Sequence, residues 1–555
     1  MNRIAEREST GFGRRHYRPV YVMHKWWARR LGSVFRTILL YSLADESLDE
    51  WNGKPNSLWE FFKRDVDLGG KIVLDPMMGG GTTVIEALKL GCRVIAGDIN
   101  PVSWFLVKKQ VDDIDPELIV QTLQKLDDEL GLELRQYYQT LCPECGQIAE
   151  AIYYFYYKVS SCTKCAKGIP LMRNFFLAKS PVGTGDIVIC PICWNIFESK
   201  DAKKVTKCTK CDEKFIPTKI SFSKGRSYKC SDLDCGQSEK IVESTQEFGK
   251  FDERMYAIEF YCKQCDESNN RKLMNGRGYK VPDERDKEIL TNASREYQVI
   301  AQDLPIPDTL IPSGVETKRA LNHGYRRFSD MFNPRQLLNL GKIYRWIMEI
   351  KDWNLKEFFV LAFSNSLKYN NMFAKYNATR GFITDIFRTH SFSPSMSPVE
   401  ANCYDTTKGR GAFTAFVNLV VEGKKYCRDP FERVLDGKSM RKIQLGPKNP
   451  SRLVKNYNNL VRTGDIILRC GSSEQLEIPD GVVDVVVTDP PYYGNVMYSE
   501  LSNFFYVWLR IALKEHYGIF NDSLVPTDDE VIENRYQGKG RIEFIHGLTR
   551  VFTES

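Results

Sequence analysis

Short apolar runs that end at acidic or glycine-rich segments mark the N-terminal part of the chain. Residues 71–75 and 93–97 have the length and composition of buried strands, and residues 82–90 between them carry apolar side chains at helical spacing. A strand, a loop, a helix and a second strand in this order predict one unit of a parallel sheet. Residues 1–65 read as helical and include a cationic aromatic segment, His-Lys-Trp-Trp-Ala-Arg-Arg, at 24–30.

The strand pattern returns near the C-terminus. Residues 465–469 and 482–488 read as buried strands, and residues 498–513 as an aromatic-rich helix. The region between the two strand-rich parts is more varied. It is interpreted as a long helix at 115–139, a cysteine block to about residue 265, a polar linker or lobe at 266–330, and helices at 335–350 and 355–367.

Composition limits the class of protein. The chain has 555 residues, room for about three domains, and its hydrophobic share of 42% is ample for a large core. A net charge of +7 over this length is only mildly basic, so any nucleic-acid footprint must be local. The N-terminus lacks the apolar core of a signal peptide, and no apolar run approaches the ~20 residues of a membrane helix. We therefore expect a cytoplasmic protein without a membrane partner.

Twelve of the sixteen cysteines fall in six close pairs. Five pairs have the C-x-x-C spacing and one has C-x4-C, spacings at which one tight turn directs two thiolates to a metal. Four thiolates favour Zn²⁺, whereas disulfides are rare in a reducing compartment; an iron–sulfur cluster is the remaining alternative. In chain order the pairs predict three structural zinc ribbons, with the ligand sets Cys142, Cys145, Cys162 and Cys165; Cys190, Cys193, Cys208 and Cys211; Cys230, Cys235, Cys262 and Cys265.

Positive charge is concentrated inside the cysteine block. Ten lysines and arginines but only three acidic residues lie at 200–229, with Phe215, Phe222 and Tyr228 interleaved. Basic residues with aromatics suit phosphate contact and base stacking. A solvated face that keeps a small domain soluble has the same composition, so both interpretations stay open.

A glycine-rich segment, Asp-Pro-Met-Met-Gly-Gly-Gly-Thr-Thr at 75–83, follows the first predicted strand. Glycine permits a sharp turn and lets backbone N–H groups approach a nucleotide-like ligand closely. Asp98, one strand later, lies where a carboxylate can hold ribose hydroxyls. The dinucleotide pattern G-x-G-x-x-G is not met, and a purely structural turn is the alternative.

The most specific motif is Asp489-Pro490-Pro491-Tyr492, directly after the last predicted strand. Two successive prolines restrict the backbone and remove two donors, so the Pro490 carbonyl has a set direction. An ionised aspartate only accepts hydrogen bonds, so Asp489 and this carbonyl can take both hydrogens of an aromatic amino group, while Tyr492 stacks on the base. The alternative is a proline pair that merely ends a strand.

These motifs resemble those of the S-adenosylmethionine-dependent amino-methyltransferases, and within them the adenine-specific DNA methylases that contain a Zn-ribbon domain. The glycine loop is similar to the family pattern D-P-F-x-G-S-G-T-T, with Met and Gly in place of Phe and Ser. Residues 489–492 match the family's D-P-P-Y, and the residues after them resemble its segment Y-D-N-V-x-Y-S-E-L-S. Residues 24–30 and 331–337 are also similar to family elements.

The resemblance implies a fold and a division of the chain. The fold is a doubly wound Rossmann-like α/β sheet, with an inserted zinc-ribbon region and a helical lobe. The first half of the methyltransferase domain, with its N-terminal helical segment, would occupy 1–140, and the second half 461–555. Three zinc ribbons would occupy 141–266, and a linker with a helical insert lobe 267–460.

The resemblance also implies an activity, methyl transfer from S-adenosylmethionine to N6 of adenine in double-stranded DNA, with the target base flipped out. Cytosine N4 and an RNA base are the alternatives, because the grip on an amino group is chemically similar. The implied base-binding and catalytic residues are Asp489, Pro490, Pro491 and Tyr492. The implied cofactor-binding residues are Asp75, Pro76, Gly79, Gly81, Thr82, Asp98, Asn100, Lys25 and Arg29.

The segment after Tyr492 contains no convincing closing strand, although methyltransferases of this class usually need further strands there. We therefore expect a sheet that is incomplete at its C-terminal side. A truncated or split gene would explain it, as would a second polypeptide that completes the sheet. On this interpretation the chain alone is a nucleic-acid or cofactor binder without turnover.

Overall fold

The structure is a computed structural model that describes residues 2–10, 17–44, 55–232, 234–437 and 439–555. Part of the predicted N-terminal helical region, at 11–16 and 45–54, lies outside the described residues. The chain divides into two compact units. Unit 1 comprises Met1–Leu123, Ile350–Asn365 and Phe416–Ser555, and unit 2 comprises Gln124–Glu349 and Ser366–Ala415. The boundaries predicted at 140, 266 and 460 divide the chain differently.

The α-helices are α1 Asn2–Thr10, α2 Gly32–Leu43, α3 Pro55–Phe62, α4 Thr82–Lys89, α5 Pro101–Val111, α6 Pro116–Leu126, α7 Leu132–Gln136, α8 Ile241–Phe248, α9 Lys263–Glu267, α10 Glu284–Ile300, α11 Lys318–Asn322, α12 Pro334–Met348, α13 Trp353–Ser366, α14 Phe413–Arg428, α15 Tyr457–Arg462, α16 Tyr498–Leu513 and α17 Arg541–Glu554. Short 3₁₀ turns cover Pro19–Val22, Met274–Gly276, Ala301–Asp303, Phe328–Met331, Gly518–Phe520 and Arg535–Gln537, and a π turn covers Asp127–Gly131.

The strands are β1 Ile72–Asp75, β2 Arg93–Asp98, β3 Gln139–Leu141, β4 Ile148–Ser161, β5 Gly168–Pro170, β6 Phe176–Lys179, β7 Asp186–Ile189, β8 Ile196–Ser199, β9 Thr206–Lys207, β10 Lys214–Phe215, β11 Ser223–Lys224, β12 Ser227–Lys229, β13 Ser238–Lys240, β14 Asp252–Tyr261, β15 Arg277–Lys280, β16 Lys375–Asn377, β17 Phe382–Thr384, β18 Val399–Ala401, β19 Phe431–Asp436, β20 Ser439–Gln444, β21 Ile466–Cys470 and β22 Val485–Val486.

Unit 1 is built on a four-stranded parallel sheet in the order β21, β2, β1, β22. All four residues of β1 are buried, the pattern of a strand covered on both faces. The predicted strands 71–75, 93–97 and 465–469 are confirmed to within a residue or two. The predicted strand 482–488 is mostly wrong, because only Val485 and Val486 form a ladder with β1.

The segment around β22 has further hydrogen bonds to β1. The Asp484 carboxylate accepts from the Ile72 backbone N–H at 2.7 Å, and the Asp484 backbone N–H donates to the Ile72 carbonyl at 2.9 Å. Residues 487–555, all of them described, form helices and loops but no strand. In the described part of the chain the sheet therefore ends at β22.

A buried ionic cluster ties the N-terminal segment to α4 and to the β19–β20 hairpin. Arg18 pairs with Glu8 and Glu432, and Lys89 pairs with Glu432 and, at 2.7 Å, with Glu86. All five side chains are less than 8% exposed. Each charge therefore has an opposite charge in contact, which buried ions need to be tolerated.

Helix α13 holds the cationic aromatic segment in place. The amide of Asn365 accepts from the Lys25 backbone N–H at 3.1 Å and donates to the Met23 carbonyl at 3.0 Å. The ring of His24 lies 3.0 Å from the Ser364 hydroxyl, measured from Nε2. These contacts give residues 23–30 a defined path although they form no helix.

Unit 2 is organised around β4, a strand of 14 residues. Its sheet has the order β15, β14, β4, β18, and β3 and β5 also pair with β4. Helix α12 joins this sheet through Arg335, which donates to the buried Glu400 carboxylate at 2.7 and 2.8 Å. Asn333 caps the same helix and donates to Glu400 at 2.7 Å. The segment 331–337 thus carries a buried structural contact.

Two predicted elements differ from the observed ones. The polar region 266–330 is not a simple linker, since it contains β15 and the 17-residue helix α10. The long helix predicted at 115–139 is divided by the π turn into α6 and α7. Among the described residues no helix combines the length and apolarity needed to span a bilayer.

Candidate active site and metal centres

The glycine loop leaves β1 in a conformation that only glycine adopts easily. Gly79 and Gly81 have φ angles of +47° and +78°. The Gly79 N–H donates to a carboxylate oxygen of Asp98 at 2.9 Å, and the Met78 N–H donates to the Gly97 carbonyl at 2.9 Å. The loop is therefore fastened to the end of the neighbouring strand β2.

Asp98 organises the turn at the end of β2 as well. Its second oxygen accepts from the Asn100 N–H at 2.9 Å, and Asn100 caps helix α5 while donating to Ser502 at 2.8 Å. Burial raises the pKa of Asp98, whereas the hydrogen bonds from Asn100 and Gly79 lower it. A carboxylate accepts up to about four hydrogen bonds, so Asp98 retains capacity for a ligand hydroxyl.

The cationic aromatic segment covers the glycine loop. A side chain at position 80 would place its Cβ 2.7 Å from the guanidinium carbon of Arg29, and one at position 79 would place it 2.9 Å from the Trp26 indole nitrogen. Arg29 donates to the Gly80 carbonyl, and Trp26 stacks on Tyr498 with ring centroids 5.6 Å apart. The loop glycines thus admit Trp26 and Arg29 to direct backbone contact.

Arg29 is a half-buried cation without an ionic partner among the described residues. One of its terminal nitrogens, Nη2, is buried and has no hydrogen-bond partner there. Burial lowers the pKa of Arg29 to about 10, so the guanidinium remains charged at neutral pH. Buried polar groups normally have partners, so this nitrogen is available to a group bound in the adjoining cavity.

Asp489 lies just beyond β22, next to the glycine loop. Tyr492 donates its hydroxyl hydrogen to one carboxylate oxygen, and Arg30 donates to the other. The Arg30 guanidinium also lies over the Tyr492 ring, 4.8 Å from its centroid. The hydrogen bond to Asp489 raises the pKa of Tyr492.

Both motifs line one cavity of about 120 Å³ in unit 1. β1 and β22 are paired in parallel, so Asp75 at the end of β1 and Asp489 just after β22 lie at the same edge of the sheet. Burial, with a smaller contribution from the charge of Asp98, raises the pKa of Asp75 to about 6, although hydrogen bonds from Thr83, Thr488 and Met77 oppose the shift. Of the sequence-predicted site residues, those that line the cavity are Arg29, Asp75, Pro76, Gly79, Thr82, Asp98, Asn100, Asp489 and Pro491. Lys25, Gly81, Pro490 and Tyr492 are outside its lining.

The cavity includes residues that are not among the predicted site residues. Arg30 and Tyr498 belong to segments already singled out, so their neighbours in sequence were the available signal. Ser473 lines the cavity and donates to the Pro76 carbonyl. Residues 529–532 line it from a loop with no recognisable motif, held in place where Glu530 accepts from the Ser499 hydroxyl at 2.6 Å.

The twelve paired cysteines form three groups that can each hold a metal ion. Within each group all four sulfur atoms lie within 4.8 Å of one another. The closest sulfur atoms from different cysteine pairs of a group are 3.5 to 3.8 Å apart. This is near the sulfur–sulfur separation of about 3.8 Å in a tetrahedral zinc–thiolate site. The groups are Cys142, Cys145, Cys262 and Cys265; Cys162, Cys165, Cys230 and Cys235; Cys190, Cys193, Cys208 and Cys211.

The predicted grouping by chain order is therefore wrong for two of the three sets. Strand β4 separates Cys145 from Cys162, and 14 extended residues span roughly 45 Å. The length of β4 therefore keeps these two cysteine pairs apart. Antiparallel pairing with β14 instead brings Tyr261 opposite Glu150, which places Cys262 beside Cys145.

The basic stretch at 200–229 is on the surface, but its aromatics are not free for bases. Phe215 and Tyr228 are 5% and 2% exposed. The Tyr228 hydroxyl forms hydrogen bonds with Ser160, Glu239 and Ser244, each at 2.7 Å. The expectation of base stacking by these two rings is wrong, because they form the cores of their small ribbons.

The fold and these sites define a mixed α/β protein with three candidate cysteine metal centres and a glycine-loop cavity. A stretch of 112 residues is 28% identical to the Type II methyltransferase M.MjaII of Methanocaldococcus jannaschii. The match covers 18% of this chain and 20% of that protein, so the chain spans about a fifth of the length of the curated relative it matches. No protein-family model and no solved structure matches the chain.

Proposed function

We propose that this chain is an S-adenosylmethionine-dependent methyltransferase that acts on the exocyclic amino group of a DNA base, N6 of adenine. The observation that carries the proposal is the shared cavity of the glycine loop and Asp489, at the carboxyl ends of paired parallel strands. Ligands of open α/β sheets bind at this edge. The sheet order agrees with a Rossmann-like domain, and the similarity to a Type II methyltransferase supports the same class.

The cavity has groups that suit S-adenosylmethionine. The orphaned Nη2 of Arg29 would hold the methionine carboxylate, the glycine loop would lie against the cofactor, and Asp98 would accept from the ribose hydroxyls. When bound, the cofactor supplies an electrophilic methyl group on a sulfonium.

Asp489 and the Pro490 carbonyl would position the target amine. Both accept hydrogen bonds, so the two amino hydrogens are held and the nitrogen lone pair is directed at the methyl carbon. The bound cofactor would supply its methyl group to the amine held by Asp489 and the Pro490 carbonyl, the N–C bond would form as the C–S bond breaks, and the amine proton would pass to solvent. Tyr492 is 49% exposed and so presents a face on which the flipped base can stack. Positioning and fixed dipoles supply the rate enhancement.

In this proposal the metal is Zn²⁺ and is structural. Thiolate-only tetrahedral sites favour zinc and leave no open position for a substrate. The three ribbons are small, and in comparable peptides zinc contributes about 10–16 kcal/mol to folding.

Asp489→Ala tests the proposal. Nucleosides from duplex DNA incubated with protein and S-adenosylmethionine are measured by mass spectrometry. N6-methyladenine is expected with the unaltered chain and absent with Asp489→Ala, whereas calorimetric cofactor affinity is retained. Asp480→Ala, which removes an exposed carboxylate from a nearby loop, is the matched control and should methylate normally. N4-methylcytosine, or methylation of RNA alone, would replace the adenine assignment, and a methylating Asp489→Ala would refute the assigned role.

A further inference from the structure

Unit 2 contains a second, larger concavity, a groove of about 1340 Å³. Pockets for small molecules usually measure about 300–1,000 Å³, so this groove is larger than most of them. The floor includes Phe155 and Tyr256 of the central sheet, and the walls come from the loop before β6, helices α8 and α11, and the segment 389–399. Its lining shares no residue with the glycine-loop cavity of unit 1.

The groove is strongly basic. Glu243 is its only acidic lining residue among those described, and it pairs with Lys240 at 2.5 Å. The basic lining residues are Arg173, Arg226, Lys240, Lys318, Arg319 and Lys375. In the described part of the chain, none of them except Lys240 forms an ion pair.

Two of these cations converge on one neutral atom. Arg319 of α11 approaches the Ser393 hydroxyl oxygen to 2.9 Å, and Lys375 of β16 approaches the same oxygen to 3.4 Å. Burial and the positive charges of Arg319, Arg173 and Arg388 lower the pKa of Lys375. Like charges brought together without a carboxylate are unfavourable until an anion lies between them.

We infer that this groove is the DNA-backbone site of the protein, in which Arg173, Arg319 and Lys375 contact phosphodiester groups. The identity of the polymer rests on the proposed function, while the charge and shape of the groove are independent of it. Phosphate contacts give affinity without reading bases. This fits the groove, because Phe155 is buried beneath its floor and the Tyr376 hydroxyl is used by Glu259 at 2.7 Å.

This inference relocates the nucleic-acid surface predicted at 200–229. Of the ten basic residues in that stretch, only Arg226 lines the groove. The others are exposed on the ribbons, as solvated residues are. Substitutions in the groove and substitutions in the stretch at 200–229 should therefore affect DNA binding differently, and each set is a control for the other.

The experiment measures binding of the full zinc-loaded chain to a fluorescent DNA duplex across a range of salt concentrations, without cofactor. Each phosphate contact adds about 0.9 to the slope of log K against log salt concentration. Arg319→Gln/Lys375→Gln should reduce this slope by about 2. The matched control, Lys203→Gln/Lys204→Gln, removes the same charge from exposed ribbon positions and should leave it unchanged.

A second pair, Arg173→Gln/Arg226→Gln, removes charge from other walls and should also flatten the slope. Zinc content and circular dichroism establish that each variant is folded. An unchanged slope in both groove pairs, or an equal loss in the ribbon pair, would overturn the inference. Preference for RNA of the same sequence would replace DNA as the occupant. Because this experiment measures binding and not methylation, it tests the groove even if the chain does not catalyse the proposed reaction.

Discussion

Arg30 donates from its Nε to a carboxylate oxygen of Asp489 at 2.5 Å, a pairing between residues 459 positions apart. Tyr492 donates to the other oxygen, so both carboxylate oxygens of Asp489 are already hydrogen-bonded. The cavity is correspondingly small, about 120 Å³. In the proposed reaction the target base would therefore compete with Arg30 for Asp489.

Arg30→Gln tests this competition. The pair is half-exposed, and such ion pairs contribute about 0–1 kcal/mol. Removing it should lower KM for the DNA substrate by up to about fivefold with kcat little changed. Steady-state methylation kinetics measure both constants. A large loss of kcat would indicate instead that Arg30 contacts the substrate.

Arg29→Met tests the proposed carboxylate site. Hydrogen bonds to charged groups contribute about 1.5–3 kcal/mol, so S-adenosylmethionine should bind about 10- to 100-fold more weakly. Titration calorimetry reads this directly. Lys25→Met removes the neighbouring charge that the sequence also nominated, yet Lys25 does not line the cavity, so its effect should stay within about twofold. Equal losses in the two variants would argue for a general charge effect.

Zinc counting distinguishes the observed cysteine groups from grouping by chain order. Cys142→Ser/Cys262→Ser alters one group and should release one ion per chain, whereas chain order requires two. Cys145→Ser/Cys162→Ser alters two groups and should release two ions, whereas chain order requires one. Elemental analysis of the purified variants gives the answer.

Asp75→Asn should stabilise unit 1 at neutral pH. Burial raises the pKa of Asp75 to about 6, above its ordinary value, so ionisation opposes folding as pH rises from about 4 through 6. The neutral amide should gain up to about 2–3 kcal/mol at pH 8 and nothing at pH 4. Urea unfolding at the two pH values measures this difference. A gain of equal size at both would point to packing.

Glu432→Gln should destabilise unit 1. Burial alone raises the pKa of Glu432, but Arg18 and Lys89 lower it to about 2. Removing this carboxylate leaves buried cations under-compensated, at a loss of about 3–5 kcal/mol. Since the folded pKa is depressed, the contribution is present above about pH 4 and lost as pH falls towards 2.

The matched control for Glu432→Gln is Glu60→Gln. It breaks an exposed pair with Lys63 and should change the free energy of unfolding by less than about 1 kcal/mol. Chemical denaturation at pH 7 and at pH 3 follows both variants. If Glu432→Gln lost as little as Glu60→Gln, the buried cluster would not stabilise the fold.

The sequence predicted local features of this protein well. The strand ends at Asp75 and Asp98, helix α16 and all twelve clustered cysteines follow from apolar periodicity and short-range spacing. These features depend on neighbours within one or two turns of chain, which a single sequence displays.

Long-range pairing could not be predicted in the same way. Chain order grouped Cys145 with Cys162, and only the pairing of β4 with β14 reveals that Cys262 is the neighbour. The contributions of Arg30 and of residues 529–532 to the cavity arise likewise from tertiary packing. Phe215 and Tyr228 were misjudged because their burial depends on packing within the ribbons, which the composition of the stretch does not display.

The nested cysteine groups impose an order of assembly. The innermost group joins sulfurs 15 and 21 positions apart, the middle one 65 and 73, and the outermost 117 and 123. The entropy lost on closing a loop grows with the length of the loop, so the innermost cysteine group, which closes the shortest loop, forms first. During synthesis the innermost group can bind its metal ion before Cys262 and Cys265, which complete the outermost group, have been added to the chain. When zinc is limiting, the outermost group would therefore be the first to remain without a metal ion.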